Sequence, residues 1–578
     1  MKQNFEKAVV YLITSVFLLQ ACSYLPLSPA LPNDTFLEVA PDRQTPTPFQ
    51  PLSPTSAAIP DDSPVTSPEL PEKSTGQTGS PQSADLLWVD ARLPSALRNA
   101  LNLPPGMSVL EELPGPAANL APLRLTLGDA HPISRWVYAL VAPFPTQVEG
   151  VSSQDLQQSW NGAAVGPFSG RPLLLDESSA QVFAFLWGPP ADGAVQIVAV
   201  DELLARAWEQ GAWALVPFET LEPRWKVLEV DGQSPLRKDF DPAGYPLSVE
   251  ISLEGQLDSA LARQIALPPS NREADKLTVL AMTGVTALVR ATAFTMEQQG
   301  LLYPGRDVGD WLRNADLTHI SNEVPFAENC PFPNPVQPDM RFCSDPRYIA
   351  LLEDVGTDIV ELTGDHFQDW GAQAMYFTLD LYKERGWLYY GGGENLEEGR
   401  RAITIEHNGN HLAFIGCNGK GGSFAQAGPN RPGAVTCDFD WMTQEIARLR
   451  SEGYLPIATF QHFEYYTYQA QPNQKRDFGT LAKAGAVIVS GSQAHQPQAL
   501  AFEHDAFIHY GLGNLFFDQY EVSYATRQAF IDRHIFYNGR YIGTELLPIL
   551  FVDYARPRPM TRDERNDLLD SVFSASGW

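Results

Sequence analysis

A chain of 578 residues with 44% hydrophobic content is longer than one core accommodates, so several segments are expected. The formal net charge of -29, from 40 basic against 69 acidic residues, argues against nucleic acid as a partner, because that binding needs a basic footprint. A polyanionic ligand would need local neutralisation, by a cation or by residues such as Arg290, Arg306 and Lys420.

At the start of the chain, Lys2 and Lys7 precede an apolar run from Ala8 to Leu19, too short to span a membrane and right for the apolar part of a signal peptide. Leu19-Gln20-Ala21-Cys22 resembles a bacterial lipobox, so residues 1–21 are expected to be a lipoprotein signal peptide and Cys22 the lipidated N-terminus. A lipid there gives an extracytoplasmic, membrane-held protein, each buried methylene adding ~0.8 kcal/mol of affinity. The alternative is an ordinary secretory leader with a chance cysteine. Residues 22–85 are dense in Pro, Ser and Thr, as in Thr45-Pro-Thr-Pro48, and cannot bury enough apolar surface to offset chain entropy; a disordered spacer is expected.

Residues 86–268 alternate apolar runs with amphipathic stretches, which reads as a smaller α/β domain. Strands are expected at Trp136–Ala142, Gln181–Leu186 and Trp213–Phe218, and helices at Ser152–Trp160 and Asp201–Trp208. Ala142-Pro-Phe-Pro-Thr146, Trp160-Asn-Gly162 and Val216-Pro-Phe-Glu-Thr-Leu221 resemble solute-binding-protein domains; a structural domain without ligand is the alternative.

The Pro-rich junction Leu267-Pro-Pro-Ser-Asn-Arg272 leads to a second domain over 275–555. Here Leu277–Met282 reads as a buried strand and Val285–Gly300 as a helix. Further strands are expected at Leu317–Ile320, Thr357–Leu362, Ile403–Glu406, Leu412–Ile415, Ile457–Phe460, Ala486–Val489 and Phe507–Tyr510, with helices at Trp370–Arg385 and Trp441–Glu452. Asn408-Gly409 marks a hairpin turn. The cysteines fall into two close pairs, Cys330 with Cys343 and Cys417 with Cys437, most simply two local disulfides; neither pair has the Cys-x-x-Cys spacing that zinc favours. No P-loop and no Gly-x-Ser-x-Gly elbow is present.

Polar clusters stand near the ends of these strands: Asn322-Glu323, Gly364-Asp365-His366-Phe-Gln-Asp369-Trp-Gly371, Gln461-His462-Phe463-Glu464, Gly491-Ser-Gln-Ala-His495 and Tyr510-Gly-Leu-Gly-Asn514. In this order they resemble the motifs of the CapA family of capsule (poly-gamma-glutamate) synthesis proteins over about residues 277 to 520. The resemblance implies a calcineurin-like metallophosphatase fold, a layered αββα sandwich of two packed sheets flanked by helices. It implies metal ligation by Glu323, Asp365, His462, Glu464 and His495, with a divalent ion such as zinc, manganese or iron. His366 takes the candidate general-acid position and Asp369 orients it. The match is partial: the aspartate of the first motif is missing from Met282-Thr-Gly-Val-Thr-Ala-Leu-Val-Arg290, and Gln493 replaces the first imidazole of the last histidine motif. Thr283 and Thr286 are candidates for an anion contact at a helix start, and Phe463, Tyr465, Tyr466 and Tyr468 for a sugar or polymer platform. The function implied is synthesis, release or anchoring of an anionic surface polymer or polysaccharide, as a metal-dependent hydrolase. The alternative is a non-catalytic polymer-binding or assembly protein with a degenerate metal site.

Overall fold

The computed structural model describes residues 86–578, except 111–122, 164–165, 169, 256 and 258–259. The expected leader, Cys22 and the spacer lie outside the described residues.

Two mixed sheets form the second domain. In the larger, the order is Leu388–Tyr390, Ile359–Glu361, Leu317–Asn322, Leu277–Thr286, Gln528–Tyr537, Arg540–Phe551, Pro557–Pro559, with Asn514–Phe516 also paired to Leu277–Thr286. Its first four strands are parallel and the hairpin that follows is antiparallel. The smaller sheet runs Ile403–His407, Asn410–Asn418, Leu455–Gln461, Ile488–Ser490, Ala506–His509, Leu500–Glu503, with its four middle strands parallel. Parallel strands are covered on both faces, which is why Leu277–Thr286 and Leu455–Gln461 are buried along their whole length and are largely apolar, broken only by threonines and a terminal glutamine.

Three cores separate four layers. One, with Met296, Leu312, Leu352 and Leu379, lies between the larger sheet and the helices Arg290–Gln299, Gly309–Arg313, Ile349–Asp354 and Ala372–Glu384. A second, with Met282, Ile359, Phe414, Ile457 and Phe507, fills the space between the sheets. The third, with Ile446, Phe460 and Phe478, joins the smaller sheet to the helices Phe439–Ser451 and Pro472–Lys483. The helix–sheet–sheet–helix order is the layered arrangement the resemblance implied. The hairpin forms at Asn408-Gly409, both residues with positive φ (49° and 71°).

Two elements differ from expectation. Gln181–Leu186 lies inside a helix, Glu177–Trp187, capped by Asp176, whose side chain accepts from the amides of Ser178 and Ser179. The cap and the burial of Ser179, Val182 and Phe183, one helical stripe, override the strand-like composition of the run. The strand Leu277–Thr286 runs four residues beyond Met282, because Val285 and Thr286 pair with Asn514 and Phe516, and the helix starts only at Arg290.

The smaller domain packs its own mixed sheet, in which Pro132–Pro143 is a long central strand, around Trp136, Leu140, Trp160 and Leu215. Leu277, Val279, Ile535 and Tyr537 of the second domain belong to the same core. Phe144 reaches in turn to Phe502, Phe507 and Trp578, and the C-terminal helix Arg562–Ser576 adds Leu568 and Phe573 there. The described residues, from 86 on, thus belong to one compact unit.

Candidate metal centre

Side chains gather where both sets of parallel strands end. The strands Leu317–Asn322, Ile359–Glu361, Asn410–Asn418, Leu455–Gln461 and Ile488–Ser490 are followed within a few residues by Glu323, Asp365 and His366, Lys420, Glu464 and His495. The crevice outside the carboxyl ends of parallel strands is where open α/β sheets place their ligands. Gly364 lets one loop come close: a Cβ there would lie 2.9 Å from the backbone of Glu323.

Glu323, Glu464 and His495 can offer three ligand atoms within 4.8 Å of one another, and so can Glu323, Asp365 and His366. Glu323, shared by both sets, is 1% exposed, and among the described residues its side chain receives only a 3.3 Å hydrogen bond from Gln461 Nε2. Burial pushes its carboxyl up, against the pull of His495 and His366. The amide of Gln461 is oriented: its Oε1 accepts from Asp365 N (2.7 Å) and Asn418 Nδ2 (2.8 Å), so Nε2 faces Asp365 Oδ1 (2.9 Å) and Glu323.

Both imidazoles turn Nε2 toward these carboxylates. Asn514 fixes His495: its Nδ2 donates to the carbonyls of His495 (3.1 Å) and Thr526 (3.2 Å), leaving Oδ1 to accept from His495 Nδ1 at 2.9 Å, while Nε2 sits 3.4 Å from Glu464 Oε1. Asp369 fixes His366: Oδ2 accepts from Nδ1 at 2.7 Å and from Phe342 N at 2.9 Å. Burial works against a charged His366, but the bond to Asp369 and the fields of Glu323 and Asp365 prevail and hold it up at about 9. His495 is likewise raised, burial being outweighed by Glu464 and Glu323.

Two further cations border the site. Lys420 Nζ lies 2.9 Å from Asp365 Oδ2 and also pairs with Glu464. Despite burial, His495 and Lys420 bring Glu464 down to about 2. Arg290, at φ 47°, reaches Asp518 Oδ2 at 3.3 Å and stacks between Phe342 and Phe517. Those rings in turn cover His366 and His495, with centroids 4.9 and 5.2 Å away. The two expected disulfides are formed and brace this rim: Cys330–Cys343 ends next to Phe342, and Cys417–Cys437 closes the loop that carries Lys420.

Of the residues singled out from sequence, Glu323, Asp365, His366, Asp369, Glu464 and His495 come together. His462 does not. Side chains alternate along a strand, so with Gln461 facing the carboxylates the next residue faces the opposite way, and His462 Nε2 bonds Asp477 at 2.9 Å among Phe460, Phe478 and Tyr465. Thr283 is a core residue donating to His319 O, and Thr286 is buried at a strand end, so neither lies at a helix start. In the aromatic tract only Phe463 and Tyr466 are exposed. Lys420, expected only as a cation against a polyanionic ligand, also pairs with the site's carboxylates, and Gln461 and Asn514, quoted in their motifs without a role, orient it; an alternation count continued past Phe460 would have marked Gln461.

These residues fit one divalent ion. The donors are the carboxylates of Glu323, Asp365 and Glu464 and the oriented Nε2 of His495, with the protonated His366 beside them, and the buried Glu323 carboxylate has no cationic partner among the hydrogen bonds and ion pairs of the described residues. They do not fit an ordinary pair of ions. With Gly284 aligned to the glycine of the first motif, Val285 stands at the missing aspartate, fully buried in an apolar cluster with Val289, Val324, Phe342 and Phe517. Gln493 turns its amide to Ser321 Oγ at 2.7 Å.

Residues 279–519 match the family model described as bacterial capsule synthesis protein PGA_cap. The chain is 24% identical over 299 residues to the capsule biosynthesis protein CapA of Bacillus anthracis, covering 51% of this chain and 72% of that protein. It is 24% identical over 218 residues to the PGA biosynthesis protein CapA of Bacillus subtilis (strain 168), covering 37% of this chain and just over half, 56%, of that one. Among solved structures, a 5'-nucleotidase precursor from Thermus thermophilus aligns with TM-score 0.29 at 12% identity, over 52% of this chain and 58% of that one.

Proposed function

With residues 279–519 forming a domain of the CapA capsule synthesis family, we propose that the chain acts on an anionic surface polymer, of the poly-gamma-glutamate or capsule polysaccharide kind, as a single-metal hydrolase or transferase at an acyl or phosphoryl centre. The observation that carries this reading is the convergence of Glu323, Asp365, His366, Glu464 and His495 with both Nε2 atoms turned inward. Zinc, manganese and iron all suit such a mixed oxygen and nitrogen set. Bound there, the ion would supply a Lewis acid and a lowered pKa for water.

The chain's own residues divide the remaining work. His366, holding a proton at Nε2 and set by Asp369, acts as the general acid toward a leaving group. Lys420 and Arg290 screen the anionic substrate in an otherwise acidic molecule. The exposed rings of Phe463 and Tyr466 give the polymer a surface beside Glu464. The two disulfides support an extracytoplasmic location, and the lipobox-like Cys22 supports a lipid anchor. No helix among the described residues is long and apolar enough to cross a membrane.

Elemental analysis of protein purified without chelator tests the reading. About one equivalent of a divalent metal is expected, lost in Asp365→Ala, together with turnover of the polymer. A protein that takes up no divalent metal sinks it. A second reading, polymer binding without catalysis, is favoured by Val285 and by the ammonium of Lys420 already neutralising Asp365 and Glu464. Polymer binding that survives chelation, without turnover, would establish that reading instead.

A further inference from the structure

The smaller domain contains a cavity of about 330 Å³ between the strands Pro132–Pro143 and Ala214–Pro217 and the N-terminal ends of the helices Glu177–Trp187 and Leu203–Gln210. This is the small end of the ~300–1,000 Å³ usual for small-molecule sites. Leu204, Val216 and Trp225 supply apolar wall.

Two buried hydroxyls line it with their hydrogen-bonding capacity unused. Tyr138 is fully buried, and its hydroxyl makes no hydrogen bond of regular geometry: the Ser179 hydroxyl stands beside it but is committed to Asp176 Oδ2 at 2.5 Å. Ser178 Oγ is buried and unpartnered too. Such groups are costly to leave unsatisfied, and a ligand is one way to complete them. Burial, with the fields of Glu219 and Asp176 behind it, pushes the Tyr138 phenol far up, so it stays a neutral donor.

The charge of the walls narrows the ligand. Glu219 accepts from two neutral donors, Trp136 Nε1 at 3.2 Å and Asn271 Nδ2 at 2.5 Å; burial pushes its carboxyl up, against the pull of these bonds and of Arg540, which itself bonds the Glu219 and Leu221 carbonyls. Asp176 takes the amides of Ser178 and Ser179, and Asp201 adds a third carboxylate. The one lining base, Arg224, is committed to Glu222 through two hydrogen bonds of 2.6 and 2.7 Å. An anion would meet net negative charge here and a cation would relieve it.

We propose that this cavity binds a compact, hydroxylated molecule bearing an ammonium group, of amino-sugar size. Its ammonium lies toward Asp176 and Glu219, its hydroxyls engage Tyr138 and Ser178, and its ring rests on Leu204, Val216 and Trp225. These observations are independent of the strand-end metal centre.

Titration calorimetry on the whole protein at neutral pH, with glucosamine, glucose and inorganic phosphate as probes, tests this. Glucosamine is expected to bind at least about tenfold tighter than glucose, the worth of one charge-assisted contact. Tyr138→Phe keeps the ring that packs edge-on against Phe183 at 5.1 Å, so it should melt like the parent while binding glucosamine about five- to tenfold more weakly. Glu219→Gln should erase the preference for glucosamine over glucose. Absence of glucosamine binding, equal binding of glucose, preferential binding of phosphate, or affinity unchanged in Tyr138→Phe would each overturn the proposal.

Discussion

The same strands supply two sets of imidazoles and carboxylates, one sealed between the sheets and one at the strand ends. His319 lies in the sealed layer and Glu323, four residues on, in the hollow; Glu361 is followed in the same way by Asp365 and His366, and Ser492 by His495. In the sealed layer Glu361 and His319 are unexposed, 3.4 Å apart, and Thr363 and Ser492 also donate to Glu361. Burial works against its ionisation, but these partners bring Glu361 down. Burial, helped by the neighbouring His509 and His319 and opposed by Asp532, pushes His534 to about 4, while carboxylates hold His366 at about 9. Identical residue types are thus driven in opposite directions. In the sealed layer Glu361 is matched by its donors, whereas the hollow keeps an excess of carboxylate, and only an excess leaves work for an added cation.

The largest test of this contrast is a pair of stability measurements. Glu361→Ala strips partners from His319, Thr363 and Ser492 in a site without water access, and should cost about 3–5 kcal/mol in chemical denaturation. Glu323→Gln removes a carboxylate that folding has made harder to ionise, so the metal-free protein should be as stable as the parent or slightly more so. The same Glu323→Gln change should weaken divalent metal binding by about a hundredfold, since both ligand sets share this residue. Equal destabilisation by the two substitutions would erase the distinction between the regions.

Proton competition comes next in size. His366 at about 9, above its ordinary 6.5, stabilises the metal-free fold fully below pH 6.5, and that contribution is lost as pH rises through 9. That proton lies beside the metal site and its charge opposes a dication, so apparent metal affinity should rise with pH between 6.5 and 9, by less than about tenfold per pH unit, and then level. Asp369→Asn should flatten both curves by removing the acceptor at Nδ1. Calorimetric metal titrations showing no pH dependence across this window would contradict the assigned role of Asp369.

Lys420 gives a smaller effect. Its ammonium competes with a dication for Asp365 and Glu464, so Lys420→Met should tighten metal binding by about tenfold while weakening affinity for the anionic polymer. Metal affinity that falls instead would show that Lys420 organises the carboxylates rather than competing for them.

Much of this arrangement was legible from sequence because parallel strands are continuous apolar runs and ligand-bearing loops follow their ends. Glu323, Asp365 and His495 were found by that rule, and Asn408-Gly409 by its backbone demands. What escaped has a physical reason. Glu177–Trp187 carries Val182, Phe183 and Phe185, whose composition suits a strand, and only the Asp176 cap and tertiary burial settle it as a helix. The hairpin of Gln528–Tyr537 and Arg540–Phe551 gave no expected elements, although it pairs with Leu277–Thr286 from Leu277 to Thr283. Lys420 reaches the carboxylates through a disulfide-closed loop, a contact between residues distant in sequence with no local pattern to announce it.

The smallest expected effect is the most discriminating for the site, and it rests on one step of strand parity. Gln461 and His462 are adjacent, and a strand cannot turn both toward the same face. With Gln461 bonded to Asn418, Asp365 and Glu323, His462 must point toward Asp477 and the helix Pro472–Lys483. His462→Ala should therefore change metal affinity by less than about twofold, at a stability cost of about 1–2 kcal/mol for the lost hydrogen bond and ring packing. Gln461→Ala should do the opposite, leaving His462 in place while Asp365 and Glu323 lose the amide that spaces them, and weaken metal binding by about tenfold. A metal titration in which His462→Ala has the larger effect of the two would require the register of Leu455–Gln461 at its end to be shifted by one residue, and with it the composition of the centre.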